Sequence, residues 1–182
     1  CSLPISFAQE TEKSQESEKS KYEATDFYEV KDYTRKKPKS EVKNIIFLVG
    51  DGMGVSQVYS GLVANKGELY IKTMPYSGFN KTNSADALIT DSAAGATAFS
   101  IGEKTNNGAI GVDKNDVPKK TILEMAVEKG LGTGLVSSCA VTHATPASFI
   151  AHQPSRNLYE EIAADFLKVD IDVFIGGGRN HF

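Results

Sequence analysis

The chain has 182 residues, 40% of them hydrophobic and 24% charged, with a formal net charge of −3. That is ordinary globular material, enough for one domain with a core, and its negative balance argues against a nucleic-acid or anionic-membrane surface. Cys1 and Cys139 are the only cysteines, so neither a disulfide framework nor a thiolate zinc cluster is indicated, and no apolar run is long enough to span a membrane.

The opening stretch, Cys1 to Ala8, reads as the end of a secretory signal peptide, with Ser6-Phe7-Ala8 as a small-x-small cleavage site. Residues 1–8 are then its remnant, and a periplasmic or secreted protein is expected; a lipid anchor on Cys1 is the rival reading. Residues 9–43 read as a polar linker, since Gln9 to Lys21 holds no hydrophobic residue and cannot offset the entropy of ordering. The basic run Arg35 to Lys39 reads as a solvated approach to the domain, which is expected over residues 44–182.

Ile45-Ile46-Phe47-Leu48-Val49 is short, apolar and β-branched, as in a fully buried parallel strand, and runs into Gly50-Asp51-Gly52. Val55, Val58, Tyr59, Leu62 and Val63 then recur on one helix face. Residues 77–84 alternate weakly, as a strand does, and a helix is expected from Ser92 to about Ile101. Lys104 to Asp116 is rich in Asn, Gly and Asp and reads as loop. A helix over Thr121 to Lys129 stops at Gly130, and Gly134 to Val141 is a second buried strand. Thr142-His143-Ala144-Thr145-Pro146 turns the chain into a short helix with Thr145 as N-cap and Pro146 at the first position. Asn157-x-x-Glu160 resembles a capping box opening a helix whose buried stripe is Leu158, Ile162 and Phe166, and Asp172 to Ile175 is a third strand. Strands alternating with helices predict an α/β fold: a doubly wound, mainly parallel sheet with helices on both faces. In such sheets ligands bind beyond the carboxyl ends of the strands, which brings Asp51 and the His143–Thr145 turn to one edge.

Asp91-Ser92-Ala93-Ala94-Gly95-Ala96-Thr97 is where chemistry is expected. A serine at a helix N-terminus sits where unpaired amides and the positive dipole end gather, which favours an alkoxide or an adjacent phosphate. The plain alternative is an Ala-rich helix capped by Asp91 or Ser92. Asp51 is either an Asp-Gly turn or a carboxylate placed to bridge cations. Thr145 is either a cap or an oxygen ligand for magnesium; His143 is either a surface residue or a further ligand. The fork of Arg156 suits a tetrahedral phosphate, though a solvated surface arginine fits the same place. No convincing histidine base serves Ser92, so metal activation is preferred to a Ser-His-Asp mechanism.

Val49-Gly50-Asp51-Gly52-Met53-Gly54, the Ile89–Thr97 stretch and Thr142-His143-Ala144-Thr145-Pro146-Ala147 resemble the metal-binding, nucleophile and magnesium segments of the alkaline phosphatase family, in the family's order and at about its spacing. Phe149 to Arg156 and Asp172 to Arg179 are similar to it as well, so the resemblance covers Asn44 to Phe182. It implies a phosphomonoesterase with two Zn2+ and one Mg2+ per subunit. Asp51 would bridge the magnesium and one zinc. Ser92 would be the nucleophile that becomes phosphorylated, with its oxygen on that zinc. Thr145 and His143 would lie at the magnesium, while Arg156 clamps the phosphate and Asp91 orients Arg156. His143 follows the animal-type pattern where the best-known bacterial one has Asp, which predicts weaker magnesium retention. The resemblance further implies a small-molecule phosphomonoester substrate and a homodimer. The family's remaining ligands (a glutamate, then Asp and His residues) lie in its second half, and nothing places His152 or His181 among them. The sequence therefore reads as an N-terminal part, incomplete at the C-terminus and inactive by itself. A related phosphomutase or phosphodiesterase, or a non-catalytic phosphate-binding module using Ser92 and Arg156, are the alternatives.

Overall fold

The structure, a computed structural model, describes residues 41–182; the signal-peptide remnant and nearly all of the polar linker lie outside the described residues. Two compact units are present. Within the described residues one comprises 41–43 with 54–76, the other 44–53 with 77–182.

The smaller unit carries α1 (Val55–Ala64), formed where the apolar period predicts it. Gln57 reaches back to accept the Gly54 amide at 3.1 Å, which satisfies one amide of the first turn. None of its residues is fully buried, and on its apolar face Val58 and Leu62 are half-buried while Val55, Tyr59 and Val63 are exposed. A 3-10 turn follows at Tyr70–Thr73.

The larger unit is built around α2 (Ser92–Ile101), which begins and ends where expected. Asp91 caps it by accepting the Ala94 amide at 2.9 Å, and Gly102, at φ +78°, closes it. The small residues permit close packing: Ala93, Ala94 and Ala96 are buried, as are Ala144 and Ala147 of α4 (Ala144–Ala147), the helix packed against α2. Thr97 is fully buried, donating to the Ala109 carbonyl at 3.2 Å and accepting the Gly111 amide at 3.0 Å. Helix α3 (Ile122–Glu128) opens with a capping box: Thr121 Oγ1 accepts the Glu124 amide at 3.2 Å and Glu124 accepts the Thr121 amide at 2.7 Å. Ile110, Ile150 and Ile162 are fully buried, each contributing about 1.5–3 kcal/mol of apolar burial.

Strand β1 (Gly134–Ala140) leads through α4 and α5 (Tyr159–Phe166) to β2 (Val173–Gly177), which pairs with it in parallel. The register is Leu135 to Phe174 and Val136 to Ile175, slipping before Ala140 meets Gly177. A parallel sheet joined through helices is α/β architecture, as the alternation predicts.

Four local expectations are corrected. Ile45–Val49 forms no strand, and Ile45 is 88% exposed; the two strands of the sheet pair with each other and leave this run without a ladder. Residues 77–84 likewise form no strand. β1 is a strand but not a buried one: only Leu135 is buried within it, and Val136 on the opposite face is 72% exposed, since that face is not covered among the described residues. At α5, Ser155 takes the chain through a turn first, its carbonyl accepting the Leu158 amide at 3.3 Å. The helix therefore opens at Tyr159 with no side-chain cap from Asn157; Ile162 and Phe166 are buried as expected, while Leu158 is only half-buried.

The loop over 104–116 is held at its middle. Ile110 exchanges backbone hydrogen bonds with Gln153 at 2.9 Å each way. At Gly111, φ is +58° and a Cβ would lie 2.0 Å from the Ala151 carbonyl oxygen, so only glycine lets the two backbones approach. This contact fixes the stretch that delivers Arg156.

Candidate active site

Ser92 is the first residue of α2 and half-buried. Its own amide and that of Ala93 belong to the N–H groups a helix leaves without internal acceptors, and the dipole adds positive potential there. The Asp91 carboxylate beside it is fully engaged: Oδ1 accepts the Ala94 amide at 2.9 Å, and Oδ2 accepts the Gly108 amide at 3.0 Å and Arg156 Nη1 at 3.1 Å. The same Nη1 donates to Ser92 Oγ at 2.9 Å, while Nη2 donates to His143 Nε2 at 3.3 Å. Because guanidinium nitrogens only donate, this contact uses a lone pair on His143 Nε2. Four of the sequence candidates thus meet within hydrogen-bond reach, although Arg156 lies 64 residues from Ser92 in sequence, with His143 13 residues before it.

On the other side, Asp51 stands on a turn closed by the Met53 amide donating to the Gly50 carbonyl at 3.2 Å. Thr145 Oγ1 donates to Asp51 Oδ2 at 3.0 Å. Thr145 is not the N-cap of α4. His143 is, with Pro146 in the first turn, where its missing N–H costs nothing; the Thr145 hydroxyl is therefore free for Asp51. Asp51, Asp91, Ser92 and Thr145 line one open cavity of about 540 Å3.

His152 and His181 are elsewhere. His152 Nδ1 lies 2.6 Å from the Gly111 carbonyl and Nε2 2.9 Å from Glu124; His181 stacks on Tyr159 and meets Glu160 at 3.2 Å. Two residues that bear on the site carried no mark in the sequence beyond a loop composition: Asn107 and Gly108, both bonded to the Asp91 segment. Nearby, the Asn107 amide and then the Ser84 hydroxyl hold the Asp86 carboxyl below its ordinary value.

The alkaline phosphatase family model matches residues 42–182, and the chain belongs to that family. It is 42% identical over 162 residues to alkaline phosphatase 3 of Bacillus subtilis, a match covering 81% of this chain and 35% of that protein. The solved alkaline phosphatase of the Antarctic bacterium TAB5 is 46% identical with a TM-score of 0.71, covering 72% of this chain and 39% of that one. A TAB5 variant with a histidine changed to aspartate, solved with Mg bound in the M3 site, is 45% identical at the same TM-score, over 72% of this chain and 38% of that one. The chain spans about a third of the length of the curated relatives it matches.

Proposed function

We propose that the full-length protein containing this chain is a metal-dependent phosphomonoesterase, cleaving phosphate monoesters to alcohol and inorganic phosphate through a phosphoserine on Ser92. The observation that carries this reading is the guanidinium of Arg156, bonded at once to Ser92 Oγ and Asp91 at the N-terminus of α2. A phosphate dianion gains little from a chain of net charge −3, but at this point it meets a fixed cation and the free amides of the first turn.

The residues act as follows. Arg156 holds two phosphate oxygens, and Asp91 fixes the fork so that it does not have to be ordered during the reaction. Ser92 Oγ attacks phosphorus opposite the ester oxygen; the Oγ–P bond forms, the P–O bond to the alcohol breaks, and the alcohol leaves with a proton. Water then attacks the phosphoserine, releasing inorganic phosphate and returning the Ser92 hydroxyl. Arg156 and the α2 amides stabilise the equatorial oxygens in both steps.

The Asp51 carboxylate and the Thr145 hydroxyl, 3.0 Å apart, are hard oxygen donors of the kind magnesium takes, and with His143 they would hold it. A bound cation supplies charge that favours the serine alkoxide and offsets the phosphate. His143 would offer the lone pair that Arg156 now engages, so cation and guanidinium compete for it. Zinc needs about three or four protein ligands. Asp51 and Ser92 are the candidates here, and among the described residues no group of three His, Cys, Asp or Glu side chains could hold a metal. The two zincs of the family therefore draw most of their ligands from the rest of the full-length protein, and the 182-residue chain alone is expected to be inactive.

The family resemblance also supports a homodimer, and the reading of residues 1–8 supports a periplasmic or secreted protein. No helix among the described residues is long and apolar enough to cross a membrane. Hydrolysis of a chromogenic aryl phosphate by the full-length protein, with zinc and magnesium supplied, tests the proposal. Turnover abolished in Ser92→Ala is expected; phosphate binding without turnover would make this a non-catalytic binding module instead.

A further inference from the structure

We propose that Asn107 is a positioning residue for the phosphoryl-transfer site, setting the geometry of Asp91 and Arg156 from a turn that touches neither substrate nor metal. The inference rests on the phosphatase reading given above. Residues Asn106 to Ala109 form a turn closed by the Ala109 amide donating to the Asn106 carbonyl at 3.2 Å, with Gly108 at φ +87°. Such a φ suits glycine and few other residues.

The backbone amide and side-chain amide of Asn107, and the backbone N–H and C=O of Gly108, all bond to the site's scaffold. Asn107 Oδ1 accepts the Asp91 amide at 3.0 Å, and Asn107 Nδ2 donates to the Ile89 carbonyl at 3.0 Å. These partners settle the amide's orientation, since a flipped side chain would set N–H against N–H and oxygen against oxygen. The side chain therefore grips the 89–91 backbone at two points, as a neighbouring strand would. The Asn107 amide donates to Asp86 Oδ1 at 2.9 Å, an acceptor that Ser84 Oγ also meets at 2.9 Å, which anchors the turn from behind. Gly108 then donates its amide to Asp91 Oδ2 at 3.0 Å and accepts the Arg156 amide on its carbonyl at 2.7 Å.

One turn thus holds the backbone that precedes the nucleophile, the carboxylate that orients the arginine, and the backbone of the arginine itself. Neither Asp nor Ala reproduces this at position 107. Asp keeps the acceptor but faces the Ile89 carbonyl with a second oxygen; Ala removes both bonds. Asn107 is exposed, so its bonds compete with water and contribute little to overall stability. Their value lies in alignment, and that separates a positioning role from a structural one.

The test is a double-mutant cycle in the full-length, metal-loaded protein, combining Asn107→Ala with Arg156→Ala and reading kcat/KM, the inhibition constant of inorganic phosphate, and Tm. Asn107→Ala is expected to lower kcat/KM by about 10- to 100-fold and to weaken phosphate inhibition by a similar factor, with little change in Tm. In the Arg156→Ala background the same change should cost less than about threefold, because the group it aligns is gone. Asn107→Asp, which preserves size and one bond, should fall between Ala and the native residue, and it serves in the cycle if Asn107→Ala does not fold. Equal factors in both backgrounds, or a loss of activity matched by a loss of Tm, overturn the inference. A wild-type protein that neither hydrolyses aryl phosphates nor is inhibited by phosphate overturns the phosphatase reading, and this inference with it.

Discussion

Ser92, bonded to Arg156, and the Asp51–Thr145 pair line the same cavity, but the serine–arginine side and the Asp51–Thr145 side rest on different foundations. On the first side, Asp91, Ser92, Arg156 and His143 are half-buried and joined by several hydrogen bonds, and α2 behind them packs its alanines on α4. On the second, Asp51 is exposed, held by one bond from Thr145, and preceded by an apolar run of which Ile46 is 84% exposed. The serine–arginine side is therefore pre-organised by contacts within this unit that join residues far apart in sequence. The Asp51–Thr145 side carries fewer such contacts among the described residues.

Removing the centre of the pre-organised side should have the largest effect. Arg156→Ala should lower kcat/KM of the full-length protein by about 100- to 1000-fold, measured with an aryl phosphate. A loss below tenfold would mean that the cation side alone binds the phosphate. Gly111→Ala probes the scaffold: a left-handed φ and a clash with the Ala151 carbonyl should together cost about 3 kcal/mol in denaturant unfolding. An unchanged midpoint would show that the loop carrying Asn107 and the stretch carrying Arg156 are not locked together.

On the weaker side, His143→Asp places a carboxylate next to a hard cation in exchange for an imidazole, and should tighten magnesium binding by about tenfold in calorimetry. Unchanged or weaker binding would count against His143 as part of that site. The smallest effect is expected at the buried Asp165. Burial pushes its carboxyl up, but Lys168 at 2.6 Å, the His152 amide and Gln153 outweigh it and hold the group below its ordinary 3.8. A depressed folded value means stability that is present above pH 3.8 and lost as the pH falls through the folded value. Asp165→Asn should cost about 1 kcal/mol at neutral pH, with the gap to wild type closing at acid pH in a urea series. A gap independent of pH would remove the ionised carboxylate from the account.

What the sequence made legible follows the same division. Helix α2, with Asp91 as cap and Gly102 as stop, is written in adjacent residues, as is the Thr121–Glu124 capping box. Asp91, Ser92, His143 and Arg156, which meet by hydrogen bonds, come from short motifs ordered along the chain. Pairing is different: whether Ile45–Val49 forms a strand depends on a partner ladder, and no property of those five residues supplies one. Nor is a cap decided by spacing alone, since Ser155 takes the chain through a turn that leaves Asn157 outside α5. Asn107 was invisible for a related reason. Its bonds to residues 16 and 18 positions away leave no periodic trace in a loop.

The central claim is that Ser92 carries phosphate during turnover, and acid-quenched phosphopeptide mapping tests it most directly. Full-length, metal-loaded protein incubated with an aryl phosphate and quenched in acid should yield phosphate on the peptide containing Ser92, and none in Ser92→Ala. Turnover with phosphate on another residue, or with no phosphorylated peptide at all, would contradict the mechanism.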